Sequence, residues 1–103
     1  MGLKRWYIDS FPDRDTQYDL LEAEAEKETI VLSIVVSNYS SENITAWVRY
    51  MVGTTEAMKW LIHLDQDSAP FALDTKMVFT PGDKITVETS HADVAVWASG
   101  DAS

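Results

Sequence analysis

The sequence predicts an all-β fold, an antiparallel β-sandwich of jelly-roll-like type formed as a single domain over residues 1–103. Three observations lead there. Apolar and polar residues alternate with a period of two through most of the chain, as half-buried strands require. The alternating stretches are short and separated by turn-forming residues, which suits a sandwich or jelly roll. The segment richest in helix formers, LLEAEAEKE (Leu20 to Glu28), would stack Glu22 on Glu26 one helical turn apart with like charge. An extended segment, Tyr18 to Leu21, followed by an acidic loop is the better reading, against the alternative of a short helical turn.

The remaining elements follow in order. Leu3 to Ile8 reads as a first strand. Thr29 to Val36 (TIVLSIVV) is β-branched and almost continuously apolar, which predicts a strand buried on both faces. SNYSSEN, Ser37 to Asn43, is a loop by composition. Ile44 to Val52 places Ile44, Ala46, Val48, Tyr50 and Val52 on one face, and Thr45, Trp47, Arg49 and Met51 on the other. GTTEA, Gly53 to Ala57, is read as a hairpin loop, after which Trp60, Ile62 and Leu64 share one face. Short elements follow near Phe71 to Leu73 and Lys76 to Phe79. Thr80-Pro81-Gly82-Asp83 suits a type II turn, with proline second and glycine third. Such a turn splays a two-residue hairpin, so it is read as a corner between sheets. Ser90-His91-Ala92-Asp93 is read as a hairpin loop between the last two strands, Ile85 to Thr89 and Val94 to Ala98. The main strands are therefore expected near residues 3–8, 29–37, 43–52, 58–64, 76–79, 84–89 and 93–98. The expected core comprises Ile34, Val36, Val48, Tyr50, Trp60, Ile62, Ile85, Val87, Val94 and Val96.

Composition narrows the function. Eight basic residues against seventeen acidic ones give a net charge of −9. That repels phosphate backbones, so nucleic acid is not an expected partner. With no cysteine there is no disulfide, thiolate zinc site or cysteine nucleophile. No basic segment followed by an apolar run marks a secretory signal, and no apolar run has the length of a membrane span. Synthesis in a reducing cytoplasm without a membrane partner is the expectation.

The chemistry-bearing residues do not assemble into a motif. His63 and His91 lack HxH or HxxxH spacing and read as surface histidines. HLDQDSA, His63 to Ala69, lacks the glycine and closing glutamate of a calcium loop and reads as an acidic turn. No nucleophile elbow or phosphate-cradling glycine loop occurs. Asn38-Tyr39-Ser40 and Asn43-Ile44-Thr45 match the glycosylation pattern and read as polar loops. No catalytic residue, cofactor or metal is expected. The aromatics say more. Trp47 shares a face with Thr45 and Arg49, and Trp97 with Ala95 and Ser99. Trp and Arg are enriched at binding hot spots, so Trp47, Arg49 and Trp97 are the candidate protein interface, with coverage inside the domain as the alternative.

The order of these segments resembles a group of small phage-encoded β-sandwich virion structural proteins. The likeness runs from Tyr18 to Gly100 and is carried by Ser33, Ile34 and Asn38 in SIVVSN, by Gly82, Asp83, Ile85 and Val87 in GDKITV, and by the terminal pair Ser99-Gly100. The first seventeen residues and the EAEAEKE loop depart from the pattern. The resemblance implies a non-enzymatic virion component, a capsid decoration (cement) or neck- or tail-associated protein, held by contact with itself and with other virion proteins. A carbohydrate- or receptor-binding sandwich module is the alternative. Exposed tryptophans lining a groove with nearby Asp or Asn would favour the alternative, and a flat or protruding aromatic patch would favour assembly.

Overall fold

The computed structural model describes residues 3–102, all of whose regular elements are strands. They are β1 (Leu3–Ile8), β2 (Tyr18–Glu22), β3 (Thr29–Asn38), β4 (Ile44–Val52), β5 (Thr55–Leu64), β6 (Phe71–Leu73), β7 (Met77–Phe79), β8 (Asp83–Thr89) and β9 (Val94–Ala102). One sheet has the order β1-β9-β3-β6, with β7 also pairing β3, and the other the order β2-β8-β4-β5. Every pairing is antiparallel. Most connections leave one sheet for the other; β4 to β5, and β6 to β7, stay within a sheet. This is the strand order of a jelly roll.

The two sheets close on a core that includes Val31, Ile34 and Val36 of β3, Val94 and Val96 of β9, Val48 of β4 and Ile85 and Val87 of β8, all fully buried. Of the expected core, Tyr50 and Trp60 are only partly buried and pack on its rim. Phe11 is fully buried although no strand contains it. Its N–H donates to the Ala92 carbonyl and its ring meets Tyr18 edge-on at 5.3 Å. The segment between β1 and β2 thus plugs one end of the sandwich.

The expectation that β3 is buried on both faces is not met. Thr29, Val31, Ile34, Val36 and Asn38 face inward, while Leu32 is 48% exposed and Val35 is half-buried on the outer face. The run looks continuous because β3 carries a β-bulge. Val31 pairs with Gly100 and Ser33 with Ser99, which leaves Leu32 as the extra residue and shifts the inward phase by one. A second bulge in β2, between Asp19 and Leu21, lets the consecutive Leu20 and Leu21 both be buried.

Two of the turns also differ from their sequence reading. The β4–β5 loop is only Gly53-Thr54, because Val52 already pairs with Thr55. Gly53 has φ 64°, as a glycine-led hairpin turn requires. Ser90 to Asp93 is a crossing between sheets, not a hairpin loop. β8 is already flanked by β2 and β4, so β9 has no free edge there and inserts between β1 and β3 in the other sheet. Ser90 ties this crossing to β4, accepting from the Thr45 N–H at 2.9 Å through its hydroxyl and donating its own N–H to the Thr45 carbonyl at 3.0 Å.

Thr80 to Asp83 is the corner that the sequence suggests. The Asp83 N–H donates to the Thr80 carbonyl at 3.0 Å, and Gly82 has φ 92°. The buried Asp83 carboxylate accepts from the Tyr50 hydroxyl at 2.8 Å, the Thr80 hydroxyl at 2.9 Å and the Thr80 N–H at 3.0 Å. Burial opposes its charge, yet the bonds from Tyr50 and Thr80 outweigh this and hold the carboxyl below its ordinary value. Burial, then the bond to Asp83 and its charge, push the Tyr50 phenol up to about 12. At the other end, the Asn38 amide donates to the carbonyls of Glu42 and Leu64 at 2.8 and 3.2 Å, and its oxygen accepts from the Ser40 N–H and hydroxyl.

Two predictions follow from this packing. A Cβ added at Gly100 would lie 1.9 Å from the Ile30 carbonyl oxygen, so the central ladder must shift. Gly100→Ala should cost about 1–3 kcal/mol in urea unfolding, comparable to the roughly 2–4 kcal/mol for Ile34→Ala; an unchanged midpoint would refute the close approach. The Tyr50–Asp83 bond makes stability pH-dependent at both extremes. The raised Tyr50 value means that its contribution is intact below its ordinary 10.0 and is lost as pH rises toward about 12. The lowered Asp83 value means that its contribution is present above the ordinary 3.8 and is lost as pH falls through the folded value. Tyr50→Phe should flatten the alkaline limb and lessen the acid one, measured as melting temperature against pH.

Candidate interaction surface

The two outer faces of the sandwich differ in character. Arg49 lies on the outer face of the β2-β8-β4-β5 sheet between two carboxylates. Its Nε is 2.8 Å from Glu56 Oε1 and its Nη1 is 2.9 Å from Glu88 Oε1. Lys84 pairs with Asp19 at 3.4 Å nearby, and the Thr86 hydroxyl donates to Gln17 Oε1 at 2.9 Å. Trp47 is half-buried in this face, paired across the ladders with Glu88 on β8 and Leu61 on β5. The guanidinium that sequence reading offered as an interface group is therefore engaged by its own sheet.

The outer face of the β1-β9-β3-β6 sheet is apolar along its middle. Tyr7, Trp97, Val35 and Ala72 stand side by side on four adjacent strands. Trp97 is 45% exposed and Tyr7 61% exposed. Their ring centroids lie 5.9 Å apart, and the Arg5 guanidinium sits 5.2 Å from the Trp97 ring, within cation–π range. Shallow depressions flank the row. One of about 390 Å³ is lined by Leu3, Lys4, Arg5, Leu32, Ser99 and Gly100. Another of about 330 Å³ is lined by Val35, Ser37, Ala95 and Trp97. A third of about 180 Å³ between them is lined by Arg5, Ser33, Val35, Trp97, Ala98 and Ser99. Exposed Val78 of β7 extends the apolar character past β3, where it pairs with Ile30.

Trp47, Arg49 and Trp97 therefore do not form one patch, as the sequence reading had them. β4 and β9 belong to different sheets, so outward side chains on them point away from each other. Trp97 is joined instead by Arg5, Tyr7 and Val35, none of which sequence reasoning placed at a surface. A signal for two of them was present: Arg5 and Tyr7 alternate with Trp6 and Ile8, which pack on the core.

The polar groups build no reactive constellation around this face. The Ser33 hydroxyl donates to Asp74 Oδ1 at 2.8 Å, an exposed contact with no histidine beside it. His63 Nδ1 is 3.1 Å from the Thr45 hydroxyl, and His91 Nε2 is 3.3 Å from Glu42 Oε2 in the Ser90–Asp93 crossing. Among the described residues no group of three His, Cys, Asp or Glu side chains converges.

No family model matches the sequence, and no curated protein matches it. Among solved structures, the chain is similar over 97% of its length to one titled "Structure of infectious bursal disease virus Gx strain". The identity is 12%, the TM-score is 0.45, and the match spans 30% of that longer chain. The assignment to a two-sheet antiparallel β-sandwich rests on this chain's own strand order and register.

Proposed function

We propose that the chain is a non-enzymatic structural protein of a bacteriophage particle, a capsid decoration or neck- or tail-associated component, which docks on a larger virion protein through the Tyr7–Trp97–Val35 face. That apolar row is the observation that carries the reading. Large aromatic and aliphatic groups on the open face of a sheet suit burial against a partner. The jelly-roll strand order is compatible with it, although virion proteins share that order with lectins and cupins. The segments that resemble the phage group agree in kind. Asn38 and Gly82-Asp83 sit where the chain crosses between sheets and Gly100 sits opposite the β3 bulge, so the likeness is one of architecture.

The glycan-binding alternative gains less support. The depressions beside Trp97 are lined by Leu, Lys, Arg, Ser, Val, Ala and Gly, and the Asp74 carboxylate beside them is already engaged by the Ser33 hydroxyl at 2.8 Å. The charge of −9 keeps free copies soluble and argues for a place on the outside of the particle, away from packaged DNA.

The test is incorporation into particles. Trp97→Ser with Tyr7→Ser should leave the chain folded at a cost of about 1–3 kcal/mol, since Trp97 is 45% and Tyr7 61% exposed, and should abolish or sharply reduce the copy number in purified virions. Lys84→Ser, on the charge-paired face and away from Trp97, should leave copy number unchanged. Absence of the wild-type chain from purified particles, or normal incorporation of the folded double variant, defeats the reading.

A further inference from the structure

The strand edges of the sandwich are unequally guarded. β6 and β7 are only three residues each. β2 is bulged and carries Asp19 and Glu22. β1 carries Lys4 and Arg5. Short length, bulges and charge are the usual devices that stop an edge from recruiting another strand. β5 has less of each. It runs for ten residues without proline, and it pairs only with β4. Its one irregularity, where Tyr50 pairs with Met58 and Met51 with Glu56, lies near the hairpin end and leaves Met58 to Leu64 regular. In that stretch Lys59 is the only Lys, Arg, Asp or Glu.

We infer that the chain forms a two-fold dimer by antiparallel pairing of β5 with β5 of a second copy, centred on Leu61. Leu61 faces outward, is 54% exposed, and stands beside Trp47. Centring the pair there sets Leu61 against its counterpart and makes one apolar row, Trp47–Leu61 of one copy running into Leu61–Trp47 of the other. On the inner side Trp60 meets Ile62, and Met58 meets Leu64. A centre on Trp60 would put Lys59 against Leu61 and break the row. The second copy is thus the occupant whose chemistry the edge matches, strand to strand and residue to residue.

The geometry has a consequence. Antiparallel edge pairing places the two-fold axis perpendicular to the joined sheet, so both β1-β9-β3 sheets lie on the same side of it. The dimer presents two Tyr7–Trp97–Val35 faces in one direction, suited to bivalent attachment. One seven-residue strand pair is a small contact, so a dissociation constant on the order of micromolar is expected.

Sedimentation velocity of the purified chain across concentration should show reversible conversion from the 11.6 kDa monomer to twice that mass. Leu61→Lys, at an exposed position, should keep the β circular dichroism signature and raise the dissociation constant at least about tenfold. Trp97→Ser should leave it unchanged. Amide exchange of residues 58–64 in the wild-type chain should slow as concentration rises, a readout that needs no variant. A strictly monomeric wild type up to about 1 mM, or a dimer lost with Trp97→Ser and indifferent to Leu61→Lys, overturns the inference. Failure here leaves the docking face standing, because incorporation into particles is a separate measurement.

Discussion

The extra residue in β3, opposite Gly100, is the constraint on which the molecule's two faces depend. With strict alternation from Thr29, residues 33, 35 and 37 would turn inward and Ile34, Val36 and Asn38 outward. Two serines would then enter the core, and the Asn38 amide would lose its place beneath the β4–β5 sheet. The bulge at Leu32 moves the phase by one and keeps Val31, Ile34 and Val36 inside together. It also leaves Val35 beside Trp97 on the outside. The backbone of Ile30 to Val31 approaches Gly100 so closely that no Cβ fits. A packing solution for the core thus determines the composition of the outer face.

A jelly roll must carry its chain repeatedly across the core, and each crossing exposes backbone groups to a dry interior unless they are paired. This chain meets the problem with buried polar side chains. Asp83 gathers Thr80 and Tyr50 at one crossing, while the Gly82 N–H donates to the Ala23 carbonyl and the Ala23 N–H donates to that of Asp83. The acidic loop after β2 is therefore pinned by main-chain bonds while its glutamates remain in water. Asn38 does the same work between β3 and the ends of β4 and β5, through both ends of its amide. These residues carry the chain's polar chemistry inward, and their partners are all structural.

The two outer faces offer a partner different surfaces. One face is tied up in its own ion pairs around Arg49, where each group already has an opposite charge and gains little from a partner. The other presents aromatic and aliphatic groups whose burial against a second protein would remove apolar area from water. At the row itself the Arg5 guanidinium, 5.2 Å from the Trp97 ring, offsets part of the acidic excess. The β5 edge beside Trp47 offers a second kind of surface, one of main-chain groups.

The amino-acid sequence alone determined that the chain is all-β, where most strands lie, and that Thr80 to Asp83 is a corner, because period-two patterning and Pro-Gly turn chemistry act over a few neighbouring residues. The eight aliphatic residues that it placed in the core are all buried. Phe11 escaped it, since a lone aromatic in a loop has no period to betray it and is buried only when distant segments fold around it. The double-sided character of TIVLSIVV was misread, since the phase slip of a bulge and burial on both faces give the same nearly continuous apolar run, and only the partner strand tells them apart. Above all, alternation says that Trp47 and Trp97 face away from the core but not which sheet each belongs to. Strand order decided that. It put β4 and β9 in opposite layers, separated the two tryptophans, and gave Trp97 the company of Arg5, Tyr7 and Val35 from strands remote in sequence.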